Sequence, residues 1–189
     1  YKKDEYQQML DGIVILTPEL AAQEALEKAE ESLLAEDARI AQEKIDALED
    51  GAEKTAYQQR LDVVLDIIAA REAVARCEQE MQKADYDDAQ GKINRLEPGA
   101  ERDALQARLD AVIPASIEKA QQTRLPVDID KALALVNGMV ESDEKTEYLA
   151  VLHAIVPRGG LEDAIDAVAL AEQTRLASDI EQAQILVDG

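Results

Sequence analysis

Apolar residues recur along this chain at the spacing of one face of an α-helix. Three stretches place them at positions i, i+4 and i+7, and a fourth stands at the beginning of the chain: Tyr57, Leu61, Val64; Leu105, Leu109, Val112; Tyr148, Leu152, Ile155; and Tyr6, Leu10, Ile13. This spacing predicts amphipathic helices. Because Tyr6-Gln7-Gln8 also matches Tyr57-Gln58-Gln59, we expect residues 1–17 to form a helix of the same type.

A second pattern begins at an aspartate. A small residue follows each aspartate after four positions and a β-branched residue after eight: Asp37, Ala41, Ile45; Asp85, Ala89, Ile93; Asp128, Ala132, Val136; and Asp179, Ala183, Val187. These aspartates recur after 48, 43 and 51 residues. Recurrence at such distances indicates internal repeats, which are typical of modular arrays.

Each repeat contains three amphipathic stretches, one before the aspartate, one after it and one that opens at a glutamate. That glutamate (Glu53, Glu101 or Glu144) lies 16 residues after the aspartate in all three cases. The sequence therefore predicts an all-α fold of tandem three-helix-bundle repeats of about 43–51 residues, elongated, with some helices shared between modules. The expected divisions are residues 1–17 (the last helix of a truncated module), 18–68, 69–114 and 115–158 (complete modules), and 159–189 (the first two helices of a truncated module).

Proline and glycine predict where helices stop. Neither residue occurs between Glu53 and Asp85, so residues 53–83 are expected to form one continuous helix shared by two modules. Pro114, and Pro157 with Gly159 and Gly160, are expected to break the helices at the next two junctions. Each repeat aspartate is expected to cap its helix as the N-cap residue, a position that aspartate favours.

The amino-acid composition and the net charge disfavour some classes of binding partner. The chain of 189 residues is 47% hydrophobic but has no Phe or Trp, which favours thin helices packed through aliphatic side chains. Its net charge of −21 disfavours nucleic acid and anionic membranes, and no apolar run reaches the roughly 20 residues of a membrane span. A protein partner and the oligomeric state stay open. The chain begins with Tyr1, so we expect a piece of a longer protein.

Few residues of this chain are candidates for metal binding or catalysis. Asp85-Tyr86-Asp87-Asp88 resembles the start of a calcium loop, but the later ligand positions hold Ala89, Gln90 and Leu96. His153, the only histidine, stands at the position of surface aspartates in other repeats, and Cys77, the only cysteine, stands where others have a core alanine. We therefore expect no catalytic residue, no cofactor and no metal site, and no enzyme.

The aspartate-led helix, the Gly turn, the Glu-Lys pair and the run Leu-x-x-Arg-Leu-Asp-Ala-Val at residues 105–112 carry a family resemblance. The chain resembles tandem helical repeats of Gram-positive secreted and surface proteins, which are related to helical modules in C-terminal regions of insecticidal crystal toxins. The resemblance implies an extracellular or cell-surface structural spacer within a longer bacterial chain. Two alternatives stay open, an array of modules that bind a host or matrix protein and an intracellular helical scaffold.

Overall fold

A computed structural model describes residues 17–157 and 161–188, the side chains of 161–163 and 188 excepted, and those residues form helices and turns without a β-strand. The all-α prediction is confirmed. The helices are α1 (Pro18–Ser32), α2 (Ala35–Asp46), α3 (Ala52–Glu80), α4 (Lys83–Ile93), α5 (Ala100–Asp110), α6 (Val112–Thr123), α7 (Pro126–Asn137), α8 (Asp143–His153), α9 (Leu161–Thr174) and α10 (Ala177–Asp188).

The chain divides into two compact units, Tyr1–Ile68 and Ala69–Gly189, and the boundary falls within α3. In the first unit, α1, α2 and the first part of α3 share one apolar core, to which Leu26, Ile45 and Leu61 contribute fully buried side chains. Full burial of one such side chain contributes about 1.5–3 kcal/mol. The aliphatic residues that recur at helical spacing in all three helices therefore lie in the same core.

The second unit contains the rest of α3 and helices α4 to α10. Helix α4 packs against α5 and α7, helix α6 packs against α5, α7 and α8, and α9 packs against α10. The second part of α3 buries Val74 and Cys77 completely. Its polar face is joined to α5 by the ion pair between Arg108 and Glu78, whose nitrogen and oxygen lie 2.6 Å apart.

Four helices end in the same way. Leu33, Met81, Arg124 and Arg175 follow α1, α3, α6 and α9, and all four take a left-handed backbone with φ between 50° and 55°. Each donates its N–H to the carbonyl four residues earlier, which closes the last helical turn. The next helix begins two residues later. These four residues are separated by 48, 43 and 51 positions, the same distances that separate the repeat aspartates.

The predicted N-cap role of the aspartates is wrong. Leu34, Gln82 and Leu125 occupy the N-cap positions of α2, α4 and α7, so that Asp37, Asp85 and Asp128 each stand at the third helical residue, as Asp179 does in α10. The left-handed residue turns the chain early, and the helix has already begun when the aspartate is reached. A carboxylate in the first turn still complements the helix dipole.

Helix α3 confirms the predicted continuous helix, although it ends at Glu80 because Met81 is left-handed. At the next junction the helix is interrupted at Ala111, three residues before Pro114. Pro114 lies in the first turn of α6, where its missing N–H costs no helical hydrogen bond. Pro157 follows the end of α8. Gly159, Gly160 and the helix expected over residues 1–17, except Thr17, lie outside the described residues.

Candidate functional site

In the described part of the chain, the most buried carboxylates belong to Asp128 of α7 and Asp179 of α10, and both contact Lys119 of α6. Lys119 Nζ is 3.3 Å from an oxygen of Asp128 and 3.2 Å from an oxygen of Asp179, and both aspartate side chains are only 2% exposed. Burial lowers the pKa of Lys119, but the two carboxylates outweigh it and hold that pKa above its ordinary value. The hydroxyls of Thr123 and Thr174 each donate to one of the aspartates at 2.8 Å. This arrangement is an internal ion cluster with its hydrogen bonds satisfied.

Similar pairs occur at the other repeat aspartates. Lys28 lies 2.7 Å from Asp37, and Arg76 lies 2.7 Å from Asp85. In each case the cation precedes its aspartate by nine residues, as Lys119 precedes Asp128. The residue nine positions before Asp179 is Leu170, so Asp179 takes its cation from α6 instead. These aspartates join helices, and their carboxylates already have partners.

The calcium-like run does not form a metal centre. Arg76 also binds Asp88 at 2.5 Å, and Lys83 binds Asp87 at 2.6 Å. Within residues 17–157 and 161–188, no three His, Cys, Asp or Glu side chains converge in a way that could hold a metal ion. Basic side chains thus occupy the oxygens that a cation would need.

The exposure of His153 and the burial of Cys77 agree with the positions that the sequence pattern predicted for them. His153 is the last residue of α8 and is exposed. Cys77 is fully buried, and burial raises the pKa of its thiol to about 12. Because the thiolate is the reactive form of cysteine, this side chain is inert at neutral pH.

A cleft of about 720 Å³ lies in the second unit between α4, α7 and the beginning of α8, and we call it the tyrosine cleft. Tyr86 and Tyr148 line it, together with the carboxylates of Asp87, Asp110, Glu141 and Glu144. The Tyr148 hydroxyl donates to Glu144 at 2.9 Å. Burial, and then the charge of Asp110, raise the pKa of Tyr86.

Sequence reasoning missed Tyr86 as a cleft residue. Its position in the repeat holds Ala38, Ile129 and Ile180 elsewhere, all of them non-aromatic, and this difference was the available signal. A surface with two tyrosines and a surplus of carboxylates can contact cationic groups through ion pairs and aromatic faces.

A second cavity of about 500 Å³ lies between the start of α4, α7 and α10. Lys131 lines it and donates to the Glu80 carbonyl at 3.0 Å, and burial lowers the pKa of this lysine. The Ser178 hydroxyl, also in the lining, is buried without a hydrogen-bond partner in the described part of the chain. Asp130 and Glu181 balance the charges of Lys131 and Lys83, so the cavity favours neither sign of ligand.

Among the described helices, none combines the length and the apolar character needed to cross a membrane. No protein-family model, no curated protein and no solved structure matches this chain. The case for a function therefore comes from the chain's own contacts.

Proposed function

We propose that this chain is a tandem array of three-helix modules that serves as a non-enzymatic structural spacer. The observation that carries the proposal is the recurrence of interhelical contacts at the repeat distance. Arg60 binds Glu30 through two nitrogens, and Arg108 binds Glu78 through the same two nitrogens 48 residues later. Helices of unrelated sequence would not form the same arginine–glutamate contact at equivalent positions.

Two further contacts recur in the same way. Gln42 pairs with Gln58, and Gln90 pairs with Gln106, with amide distances of 2.8–3.0 Å in both pairs. A basic residue just after each repeat glutamate donates to a carbonyl near the end of the preceding helix: Lys54 to Leu48, Arg102 to Leu96 and Lys145 to Met139. The boundary between the compact units also falls between Ile68 and Ala69, where the pattern ends one module.

The spacer role is supported by how the polar side chains are used. The buried carboxylates, the interhelical arginines and the glutamine pairs all join one helix to another. Polar residues that hold helices together are what a repeated structural module needs, and they favour a structural role over a catalytic one. In line with the family resemblance, we place the spacer in a longer bacterial surface or secreted protein, outside the cell.

In-phase deletion tests the proposal. Removal of residues 37–84 takes out one 48-residue period, and Glu36 then precedes Asp85 in the native register. We expect this variant to stay helical by circular dichroism, and its maximum dimension in small-angle scattering to fall by one module length. Removal of residues 37–60 is the control, because it breaks the register, and we expect it to unfold the first unit. A compact particle in scattering, or equal damage by both deletions, would contradict the array.

The tyrosine cleft favours one alternative, an array that binds a host or matrix protein. Tyr86 and Tyr148 are half-buried, and aromatic residues in a concave surface are common anchors of protein interfaces. Capture from serum or matrix extract by the native chain, lost in Tyr148→Ser and kept in an exposed control such as Val156→Ser, would favour binding over a passive spacer. A third alternative, an intracellular helical scaffold, is decided by the flanking gene sequence, since a secretion signal with a wall-anchoring motif would exclude it.

A further inference from the structure

Two buried polar side chains of α10 have no hydrogen-bond partner, and both line one cavity. Ser178 and Gln182 are 9% and 5% exposed, and neither side chain is hydrogen-bonded within the described part of the chain. Because they are four residues apart, they lie on the same face of the helix. Buried polar groups in folded proteins are nearly always hydrogen-bonded, so each exception needs an explanation. The cavity of about 500 Å³ between α4, α7 and α10 is the space from which a partner could reach both.

The charged side chains of this cavity also lack partners. Asp130 and Glu181 make no ion pair or hydrogen bond with any residue that the structure describes. Lys131 donates to the Glu80 carbonyl at 3.0 Å but forms no ion pair within residues 17–157 and 161–188. An ammonium group has three N–H donors, so two of them are available. The cavity therefore holds opposite charges that do not pair with one another.

This face of the second helices is not one that a third helix covers. The same four repeat positions of α7 and α10 line the cavity, at a separation of 51 residues: Val127, Asp130, Lys131 and Ala134, and Ser178, Glu181, Gln182 and Ile185. Helix α8 packs against α7, and yet the four residues of α7 still line the cavity. The cavity is thus a space between second helices of neighbouring repeats.

We propose that this cavity is a binding site for a free α-amino acid with an aliphatic side chain. Such a molecule carries a carboxylate and an ammonium on one carbon, and it supplies both charges that the cavity leaves unpaired. Its carboxylate accepts hydrogen bonds from Ser178, Gln182 and Lys131. Its ammonium donates to Asp130 or Glu181. The site goes beyond the spacer role, because a passive spacer needs no small ligand.

Two helix ends favour the carboxylate of the ligand. Ser178 is the second residue of α10, and Lys83 and Ala84 are the first two residues of α4, so both helices begin at the cavity. The first N–H groups of a helix have no acceptor within it, and the helix dipole is positive at this end. Lys83 already binds both carboxylate oxygens of Asp87, at 2.7 and 2.6 Å, and is not needed as a contact. The carboxylate of the ligand is therefore expected beside Ser178.

The remaining wall of the cavity fits an aliphatic side chain. Val127, Ala134 and Ile185 contribute apolar groups to the lining, and Ile185 is 58% exposed. A ligand that covers Ile185 removes apolar surface from water. Small-molecule sites usually have volumes of about 300–1,000 Å³ and combine an apolar lining with a few polar groups. The cavity has this composition and lies within this range of volume.

Three matched compounds test the ligand chemistry on the full chain. Leucine carries both charges, 4-methylpentanoate lacks the ammonium and 3-methylbutylamine lacks the carboxylate, while all three keep the same isobutyl group. In an NMR titration of the nitrogen-15-labelled chain, we expect leucine to cause saturable amide shifts in the first turns of α4 and α10. Each analogue should bind about tenfold more weakly, as expected for loss of one charged contact. No saturable shift with leucine, or an analogue that binds as tightly as leucine, would overturn the proposal.

Substitutions in the lining separate a binding site from a packing defect. Ser178→Ala and Gln182→Leu should each bind leucine about tenfold more weakly, and they should unfold at no lower denaturant concentration than the native chain, because each removes an unpaired buried polar group. Asp130→Asn combined with Glu181→Gln should weaken the binding of leucine but not that of 4-methylpentanoate. Gln121→Leu is the matched control for Gln182→Leu, since Gln121 is exposed on α6 outside the cavity, and it should bind leucine like the native chain.

Native affinity for leucine in both Ser178→Ala and Gln182→Leu would contradict the site, as would a loss of stability in both. Equal weakening of leucine and 4-methylpentanoate in the variant without the two carboxylates would also overturn it. The deletion and scattering experiment above is independent of these outcomes.

Discussion

At the scale of single residues, the left-handed positions are the most unusual feature of the chain. Leu33, Met81, Arg124 and Arg175 all have a Cβ atom, and L-residues pay about 1–2 kcal/mol for this conformation. Glycine would adopt it without that cost and is the usual residue at this place after a helix. These turns could not be predicted from the sequence, because none of the four positions holds the glycine that usually indicates such a turn.

Arg124→Gly should stabilise the second unit by up to about 1 kcal/mol, because Arg124 is exposed and its backbone is left-handed. Chemical denaturation measures the change in the free energy of unfolding. Gln121→Gly is the control: Gln121 is exposed in the last turn of α6, and glycine there should destabilise by up to about 1 kcal/mol. A loss of stability in both variants would contradict the strain assigned to Arg124.

Lys119→Met should destabilise the second unit by about 3 kcal/mol, because two buried carboxylates lose the cation that they share. The same measurement on Lys28→Met provides the control at the equivalent position. Lys28 is 67% exposed and pairs with one aspartate, so solvent screening should leave a much smaller effect. Equal losses of stability in the two variants would contradict a larger contribution from the ion cluster of Lys119, Asp128 and Asp179.

The pH dependence of the Lys119 effect has a definite sign. The pKa of Lys119 is higher in the folded chain than its ordinary value of 10.5, so the charged form is favoured by folding. The stability difference between the native chain and Lys119→Met should be complete below that ordinary value. It should shrink as the pH rises through the higher, folded-state pKa. Unfolding curves at neutral and strongly alkaline pH measure it, and a difference that grows with alkali would contradict the assignment.

At the scale of helices, the paired glutamines set the register between neighbours. Gln90 on α4 and Gln106 on α5 exchange two hydrogen bonds while half-buried. Periodicity predicted which helix faces are apolar, but it did not predict this pair, because the pattern was built from apolar positions alone. The signal was present in the repeat, where these two positions change to leucine together.

A double-mutant cycle on this pair should show coupling. Gln90→Leu or Gln106→Leu alone should cost about 1 kcal/mol, because the remaining half-buried amide loses its partner. The double variant should return close to native stability, as the leucine pair Leu133 and Leu149 suggests. The four free energies of unfolding measure the coupling, and additive losses would contradict the register. The equivalent cycle on Gln42 and Gln58 is a second check in the other unit.

At the scale of the whole molecule, two compact units divide one continuous helix between them. The first unit has its own core, formed by α1, α2 and the first part of α3. Units with separate cores open with separate free energies. The formal charge of −21 adds self-repulsion to both.

Leu26→Ala should lower stability locally by about 3 kcal/mol, because it leaves a cavity in the fully buried core of the first unit. Hydrogen exchange should show faster amide exchange in α1, α2 and the first part of α3. Exchange in α6 and α7 should not change. Leu109→Ala, in the second unit, should produce the reverse pattern, and uniform acceleration in either variant would contradict two separate cores.

The sequence alone determined the helices, their apolar faces and the continuity of α3. It also predicted that Cys77 is buried and His153 exposed, since each follows from the period of the helix that carries it. These properties depend on residues a few positions apart, and local periodicity records them directly.

The tertiary structure decided the rest. The starts of α2, α4, α7 and α10 depend on left-handed turns, and the tyrosine cleft depends on helices that lie far apart in the sequence. Lys119 binds Asp179, which is 60 residues away, and Leu170 stands nine residues before Asp179, where the other repeat aspartates have a cation. Contacts of this range follow from how the helices assemble, which no local pattern of residues encodes.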